Sequence, residues 1–405
     1  MNYASPSLTA REHAIMEGFP PSSERRISLE NWDRYPFNRW SFQNVRSVLP
    51  TRKVRQDPSR VRTLPRNPAD LGSLEVPLPG RKRVFLDHLL AALDTDGCIA
   101  VKDGAIRFET YLNGMTDASL HLSQSVSKSL TGALVGIQIG RGIIDPESPV
   151  ELYVPELARC GYAGARVTDL LDMRSGVRFI EDYLDPDCEM GQLDRASGWK
   201  PARPGDTGGT YDLVLRLRRD RPHGGQFQYR SIETDVLGWA LERSSGSHLC
   251  TLMEEMLWGP MGAETEAAYT VDRAGTALAD GGFNATLRDY ARFGLLMLED
   301  GRRDRMSIVP SEFVADCRRG DPSVFAETDR FPRFPAACYA RQWWVLDQER
   351  GIAAALGIFG QMIYLDRSRG LAMVFLSSWP APVDPQRRDL QFAAADAVGA
   401  ALADG

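Results

Sequence analysis

The stretch HLSQSVSKSLTGALVGIQIGRG, His121 to Gly142, decides how this chain is read. Of 48 lysines and arginines in 405 residues only five are lysine, and one of them, Lys128, stands three residues after Ser125. The pair sits where a polar segment turns into an apolar one. From about Val126 to Ile139 the periodicity predicts a helix with Val126, Leu130, Leu134 and Ile137 on one face. Gly140 and Gly142 then end it.

Serine is a poor nucleophile at neutral pH and needs a base to accept its proton. One helical turn separates Ser125 from Lys128, so both side chains can point into one cleft. A lysine against a low-dielectric wall has its pKa lowered, which predicts a neutral amine at Lys128. The helix start adds backbone donors for an oxyanion. The SxxK spacing alone is weak, because Ser197 and Lys200 repeat it in SGWKPARPGD, where prolines and glycines prevent a helix. An exposed helix start is the competing account of Ser125 and Lys128. A further proton-transfer group is offered by Tyr229 in QFQYRSIETDVLGW, just before an N-cap expected at Ser231. The alternative there is a core tyrosine packed on Trp239.

Outward from this stretch, CIAVKDGAIRFETYL predicts two strands joined at Asp103 and Gly104, preceded by a helix over Val84 to Leu93. The middle of the chain reads as helices and loops, including VTDLLDMRSG, SIETDVLGWALERSSG with Gly246 as a stop, and LCTLMEEMLWG. Thr286 and Asp289 have capping-box spacing ahead of YARFGLLML. Strands return in YARQWWVLDQ, IAAALGI, QMIYLD and LAMVFLSSW, before a last helix near Leu390 to Leu402. This order predicts an α+β fold, an antiparallel sheet built from both ends of the chain and flanked by helices, with an inserted helical lobe. The expected division is a Pro-, Arg- and Ser-rich extension over 1–80 that wraps the core through its aromatic residues, an α/β lobe from 81–145 and 286–405, and a helical lobe over 146–285.

The formal net charge of −6 argues against nucleic acid or an anionic membrane as partner. No apolar run in the first twenty residues resembles a signal-peptide core, and no later one spans a bilayer, so a cytoplasmic protein is expected. Six scattered cysteines and five histidines show no ligand spacing, so no metal or other cofactor is expected and the cysteines read as buried free thiols.

The ordered motifs SVSK, EDYLDP, FQYRS, ADGG, YARQWW, GIFGQMIYLD and FLSSWP, with NRWSF in the extension, resemble the penicillin-recognising serine hydrolases, the class C beta-lactamase-like family, and most closely their 6-aminohexanoate-dimer hydrolase branch. The resemblance covers nearly the whole chain and implies a beta-lactamase/transpeptidase-like fold. It implies Ser125 as acylated nucleophile, Lys128 as base or proton relay and Tyr229 as the group that passes a proton to the leaving amine. It implies an oxyanion hole from the amides of Ser125 and Ile358, the latter just before Gly360 in the cleft wall. Tyr183 and Asp194 match the residues that hold the scissile amide nitrogen and a terminal ammonium, and Trp344 would be an apolar wall or a structural tryptophan. Three departures bear on substrate: Ser231 stands where beta-lactamases have Asn, Phe359 where relatives often carry a cation that could bind a carboxylate, and Asp280 where the dimer hydrolases have an uncharged amide or imidazole.

The expected activity is cleavage of a short linear amide bearing a free amine, such as 6-aminohexanoate linear dimer, through an acyl-enzyme. Carboxylester hydrolysis comes second, beta-lactam or D-alanyl peptide turnover third, and a non-catalytic binding protein is the reading from another class. The partner implied is a small-molecule substrate, and a homodimer stays open.

Overall fold

The computed structural model describes residues 7–78, 80, 82–325 and 330–403. Residues 1–6 and 79 of the expected extension, and 81, 326–329 and 404–405 of the expected α/β lobe, lie outside that range.

A seven-stranded antiparallel sheet forms the centre. Its spatial order is Cys338–Ala340, Trp343–Asp347, Ile352–Gly357, Gln361–Asp366, Leu371–Ser377, Thr95–Lys102 and Ala105–Tyr111. Leu371–Ser377 pairs with Thr95–Lys102, Val374 opposite Ile99, and so joins the two ends of the chain in one sheet. The tight turn in this part of the sheet is set by Asp103 and Gly104, both at positive φ (49° and 82°), the conformation of a type I′ hairpin.

Both faces of the sheet are covered, which is why LAMVFLS is apolar throughout instead of alternating. Ala372, Val374 and Leu376 enter the core shared with the Val126–Gly140 helix and the helical region. Leu371, Met373 and Phe375 enter the core under the Pro385–Ala403 helix. The period of two along the strand thus feeds two cores with one sequence.

Three local expectations change. The Val126–Gly140 helix is buried on every side from Val126 to Gln138, so it is a central helix and not an amphipathic one. The expected helix from Val84 begins only at Leu86, because Arg83–Phe85 pairs as a strand with Glu75–Pro77. The last helix starts earlier than expected, at Pro385, with the Asp384 carboxylate accepting from the Arg387 N–H at 3.0 Å.

The N-terminal segment wraps back over the sheet end. Trp32, Phe42, Val45 and Leu49 form a third core with Leu122, Trp199, Phe359 and Trp379. Trp32 Nε1 donates to the Trp199 carbonyl at 2.8 Å, and Thr51–Val54 pairs with Ala267–Thr270. The buried Arg39 guanidinium reaches Asp96 at 3.1 Å, and Asp96 also accepts from Ser378 and bonds His121 Nε2. His121, just upstream of Ser125, is thereby satisfied as a structural histidine.

Candidate active site

Ser125 is presented by a turn. Gln124 takes a left-handed conformation (φ 51°), and Ser125 then caps the Val126–Gly140 helix. The helix is laced to the ADGG segment by three bonds. Phe283 N–H donates to Ser127 Oγ at 2.9 Å, Thr131 Oγ1 to the Ala279 carbonyl at 3.0 Å, and Lys128 Nζ to the Asp280 carbonyl at 2.8 Å. Lys128 Nζ also donates to Ser125 Oγ at 2.8 Å and is 1 % exposed. The geometry separates this serine from the second SxxK, as the sequence context does: Lys200 pairs with Asp33, while Ser197 Oγ donates to the Asp194 carbonyl.

Tyr229 comes from the loop ahead of the Ile232–Ser245 helix. That loop is fixed by the buried pair Arg230–Glu233 at 3.1 Å, with Arg230 also donating to the Gln228 carbonyl. The Tyr229 ring stacks on Trp344 (centroids 5.4 Å, 18°) and lies 5.3 Å from Lys128 Nζ. Trp239, the partner expected of a core tyrosine, stacks instead on Tyr211.

Gly357 brings the strand end that carries Ile358 against the Ser123–Gln124 turn, just ahead of Ser125. A Cβ at Gly357 would meet the Ser123 carbonyl oxygen at 2.5 Å, so only glycine permits this approach. Among the described residues, neither the Ser125 nor the Ile358 N–H has a hydrogen-bond acceptor.

Ser125, Tyr183, Tyr229, Trp344, Ile358 and Gly360 line one cleft of about 620 Å³. Asp194 and Asp280 do not line it. Asp280 sits behind Lys128, its Oδ2 3.8 Å from Nζ. Its N–H donates to Asp235 Oδ1 at 3.2 Å, and the other Asp235 oxygen has no hydrogen-bond partner among the described residues. Among the lining residues that sequence reasoning did not single out is Glu181, the first residue of EDYLDP, which accepts from Ser231 N–H (2.6 Å), Ser231 Oγ (2.7 Å) and the Tyr183 hydroxyl. A loop glutamate carries no periodic signal, and only the motif around Tyr183 marked the region.

The electrostatics correct one expectation. Burial, the largest influence on Lys128, favours the neutral amine, but the negative forms of Tyr229, Asp280, Glu181 and Asp235 together outweigh it and the pKa moves up. Lys128 therefore rests as an ammonium donating to Ser125 Oγ. Burial raises the Tyr229 phenol, with Lys128 opposing. Burial also raises Asp235 and Asp280, and pushes Asp194 up to about 8. A nucleophile in contact with a lysine–phenol pair, and two residues of one cleft wall whose amides have no acceptor among the described residues, are the parts that acyl transfer needs.

The beta-lactamase family model matches residues 87–397. The chain belongs to the beta-lactamase family. Members of this family are serine hydrolases, and this chain is one of them, with the beta-lactamase-like α+β fold. It is 37 % identical over 367 residues to the 6-aminohexanoate-dimer hydrolase of Paenarthrobacter ureafaciens, covering 90 % of this chain and 91 % of that protein. A solved Bacillus anthracis protein described as a proposed 6-aminohexanoate-dimer hydrolase superposes with a TM-score of 0.87 at 26 % identity, over 95 % of this chain and 99 % of that one. A family VIII carboxylesterase shares the fold, with a TM-score of 0.55 at 15 % identity over 74 % of this chain and 92 % of that one.

Proposed function

We propose that this beta-lactamase-family hydrolase cleaves short linear amides that carry a free amine, such as 6-aminohexanoate linear dimer, through an acyl-enzyme on Ser125. The observation that carries the proposal is the 2.8 Å contact between Lys128 Nζ and Ser125 Oγ at the wall of the cleft. Ser125 Oγ attacks the amide carbonyl while its proton passes into the Lys128–Tyr229 pair, once that pair has lost one proton. The N–H groups of Ser125 and Ile358 hold the oxyanion, and Tyr229 delivers the proton to the leaving amine. Water then attacks the acyl-enzyme and releases the acid.

Preference for an amine end is supported by the acidic surroundings. Glu181 lines the cleft, and Asp194 is a desolvated carboxyl with no hydrogen-bonded or ion-paired partner for its side chain among the described residues. A bound ammonium would supply the missing charge. Carboxylester hydrolysis is the second reading, favoured by the position of Asp194 outside the cleft lining. We also assign the protein to the cytoplasm. Its six cysteines are unpaired, as a reducing compartment requires, and among the described residues no helix is long and apolar enough to cross a membrane.

Labelling with a serine-reactive phosphonate, followed by peptide mapping, tests the nucleophile. An adduct on Ser125 is expected; folded protein that carries none there removes the hydrolase mechanism.

A further inference from the structure

The Lys128 ammonium has three hydrogens, and the structure offers each a different neighbour. One goes to Ser125 Oγ and one to the Asp280 carbonyl, both at 2.8 Å. The third is left for the Tyr229 phenol, whose ionised form both Ser125 and Lys128 stabilise by hydrogen bonding. A carbonyl oxygen only accepts, so the Asp280 carbonyl keeps an N–H of Lys128 in either protonation state of the amine. Once the amine has lost a proton, its lone pair and remaining hydrogen are therefore confined to Ser125 and Tyr229. The Asp280 peptide group, more than its carboxylate at 3.8 Å, sets the direction in which the base works.

That peptide is held on its N–H side by a residue that acyl transfer does not touch. Asp235, 1 % exposed near the start of the Ile232–Ser245 helix, accepts the Asp280 N–H on Oδ1 at 3.2 Å. The Ala279 N–H stabilises the same carboxylate. Asp235 Oδ2 has no hydrogen-bond partner among the described residues, which leaves the 279–280 backbone as what this buried side chain holds. The Val126–Gly140 helix grips the same two residues by their carbonyls, through Lys128 Nζ and through Thr131 Oγ1 at 3.0 Å. The segment is thus clamped between two helices, its N–H groups on Asp235 and its carbonyls on the helix of the base.

Gly238, one turn after Asp235, lets the two elements meet. A Cβ there would come 2.9 Å from the Ala279 Cβ. Glycine inside a helix costs about 1 kcal/mol relative to alanine, and the close approach of the helix to Ala279 accounts for it here.

We propose that Asp235 is a positioning residue for the base: by holding the Asp280 peptide it orients the Lys128 amine so that its lone pair meets the Ser125 hydroxyl. In that step the Ser125 proton moves to Lys128 Nζ while Oγ bonds to the carbonyl carbon. The assignment rests on the acyl-transfer proposal at Ser125 and adds to it a residue outside the cleft lining.

An alkyl p-nitrophenyl phosphonate tests it whatever the natural substrate, because Ser125 Oγ bonds to phosphorus as p-nitrophenolate leaves. The limiting labelling rate and the half-saturating concentration are read at a pH where the wild-type rate has levelled off, and peptide mapping counts the labelled Ser125. Asp235→Ala should lower the limiting rate roughly 10-fold and leave the half-saturating concentration unchanged. Asp235→Asn, whose amide oxygen can still accept the Asp280 N–H, should regain most of that rate. Gly238→Ala, which pushes the helix off Ala279 without removing a charge, should also lower the limiting rate. Unfolding midpoints confirm the fold of each variant. A wild-type limiting rate in folded Asp235→Ala overturns the positioning role. So does Asp235→Asn that labels as slowly as Asp235→Ala. Should Asp235→Ala not fold, an unchanged limiting rate in Gly238→Ala is the overturning result. These outcomes differ from failure at Ser125 itself, in which the wild type carries no label there.

Discussion

The Lys200 ammonium pairs with Asp33 of the N-terminal segment, and the Asp194 carboxyl, which Lys200 influences only through space, has no ion-pair partner among the described residues. Burial, with Asp33 adding repulsion, pushes Asp194 up to about 8, so in the substrate-free protein at pH 7 most molecules carry it protonated. Asp194 should ionise as pH rises through about 8. KM for an amine-terminated amide should therefore fall over that interval, until the substrate amine itself loses its proton. KM for a neutral p-nitrophenyl ester should not follow. Parallel profiles for the two substrates would remove the ammonium-anchor role, as would equal losses of amide and ester activity in Asp194→Gly.

The same carboxyl has a stability consequence. Its folded pKa lies above its unfolded value, so its contribution is most favourable at low pH and declines as pH rises from about 4 toward 8. Asp194→Asn should raise the unfolding midpoint more at pH 8.5 than at pH 5. A midpoint shift that does not change with pH would mean that the desolvated charge is not what the substitution relieves.

Lys128 supplies a pH prediction of opposite origin. Burial lowers its pKa, whereas Tyr229, Asp280, Glu181 and Asp235 raise it by more, and acyl transfer requires the Lys128–Tyr229 pair to give up a proton. Removing one of those negative groups with Asp280→Asn should move the acidic limb of kcat/KM for a p-nitrophenyl ester to lower pH. An unmoved limb would show that Asp280 is protonated throughout and does not hold the ammonium.

Lys128→Ala should abolish phosphonate labelling of Ser125, while Lys200→Ala should label at nearly the wild-type rate. Since Asp280 and Asp235 would lose their compensating charge in Lys128→Ala, a circular-dichroism melt must accompany the labelling. Equal losses of labelling in two folded variants would place the base elsewhere.

The N-terminal segment is structural as well as local to the site. Trp32 is fully buried against Phe42 and Trp199, and Phe42 packs on Phe359 beside Ile358. Trp32→Ala should cost about 3–5 kcal/mol of stability, measured by denaturant unfolding. A cost below about 1 kcal/mol would mean that the segment is only loosely docked.

Which features could be read from the sequence follows the range of the interactions behind them. The Asp103–Gly104 turn, the Ser125–Lys128 helix start, the Gly246 stop and the Thr286 cap each depend on neighbours within four residues, and each stands where the pattern put it. The α+β order was legible because LAMVFLS and CIAVK are apolar enough to be covered on both faces. Long-range contacts were not legible. Nothing near Lys128 announces that Asp235 and Asp280 approach it from other segments and reverse the effect of burial. Phe359 gives no hint that it turns toward Phe42, nor Trp344 that it carries Tyr229 on one side and Arg330 on another. Glu181 was hidden for the same reason, since its partners Ser231 and Tyr183 meet it only in the folded chain.

The most direct test of acyl transfer at Ser125 is chromatographic measurement of 6-aminohexanoate released from its linear dimer by the wild type and by Ser125→Ala, with a short p-nitrophenyl ester run on the same preparations. Release by the wild type that vanishes in Ser125→Ala, together with loss of ester turnover, is the predicted result. Release that persists in a folded Ser125→Ala protein would contradict the account.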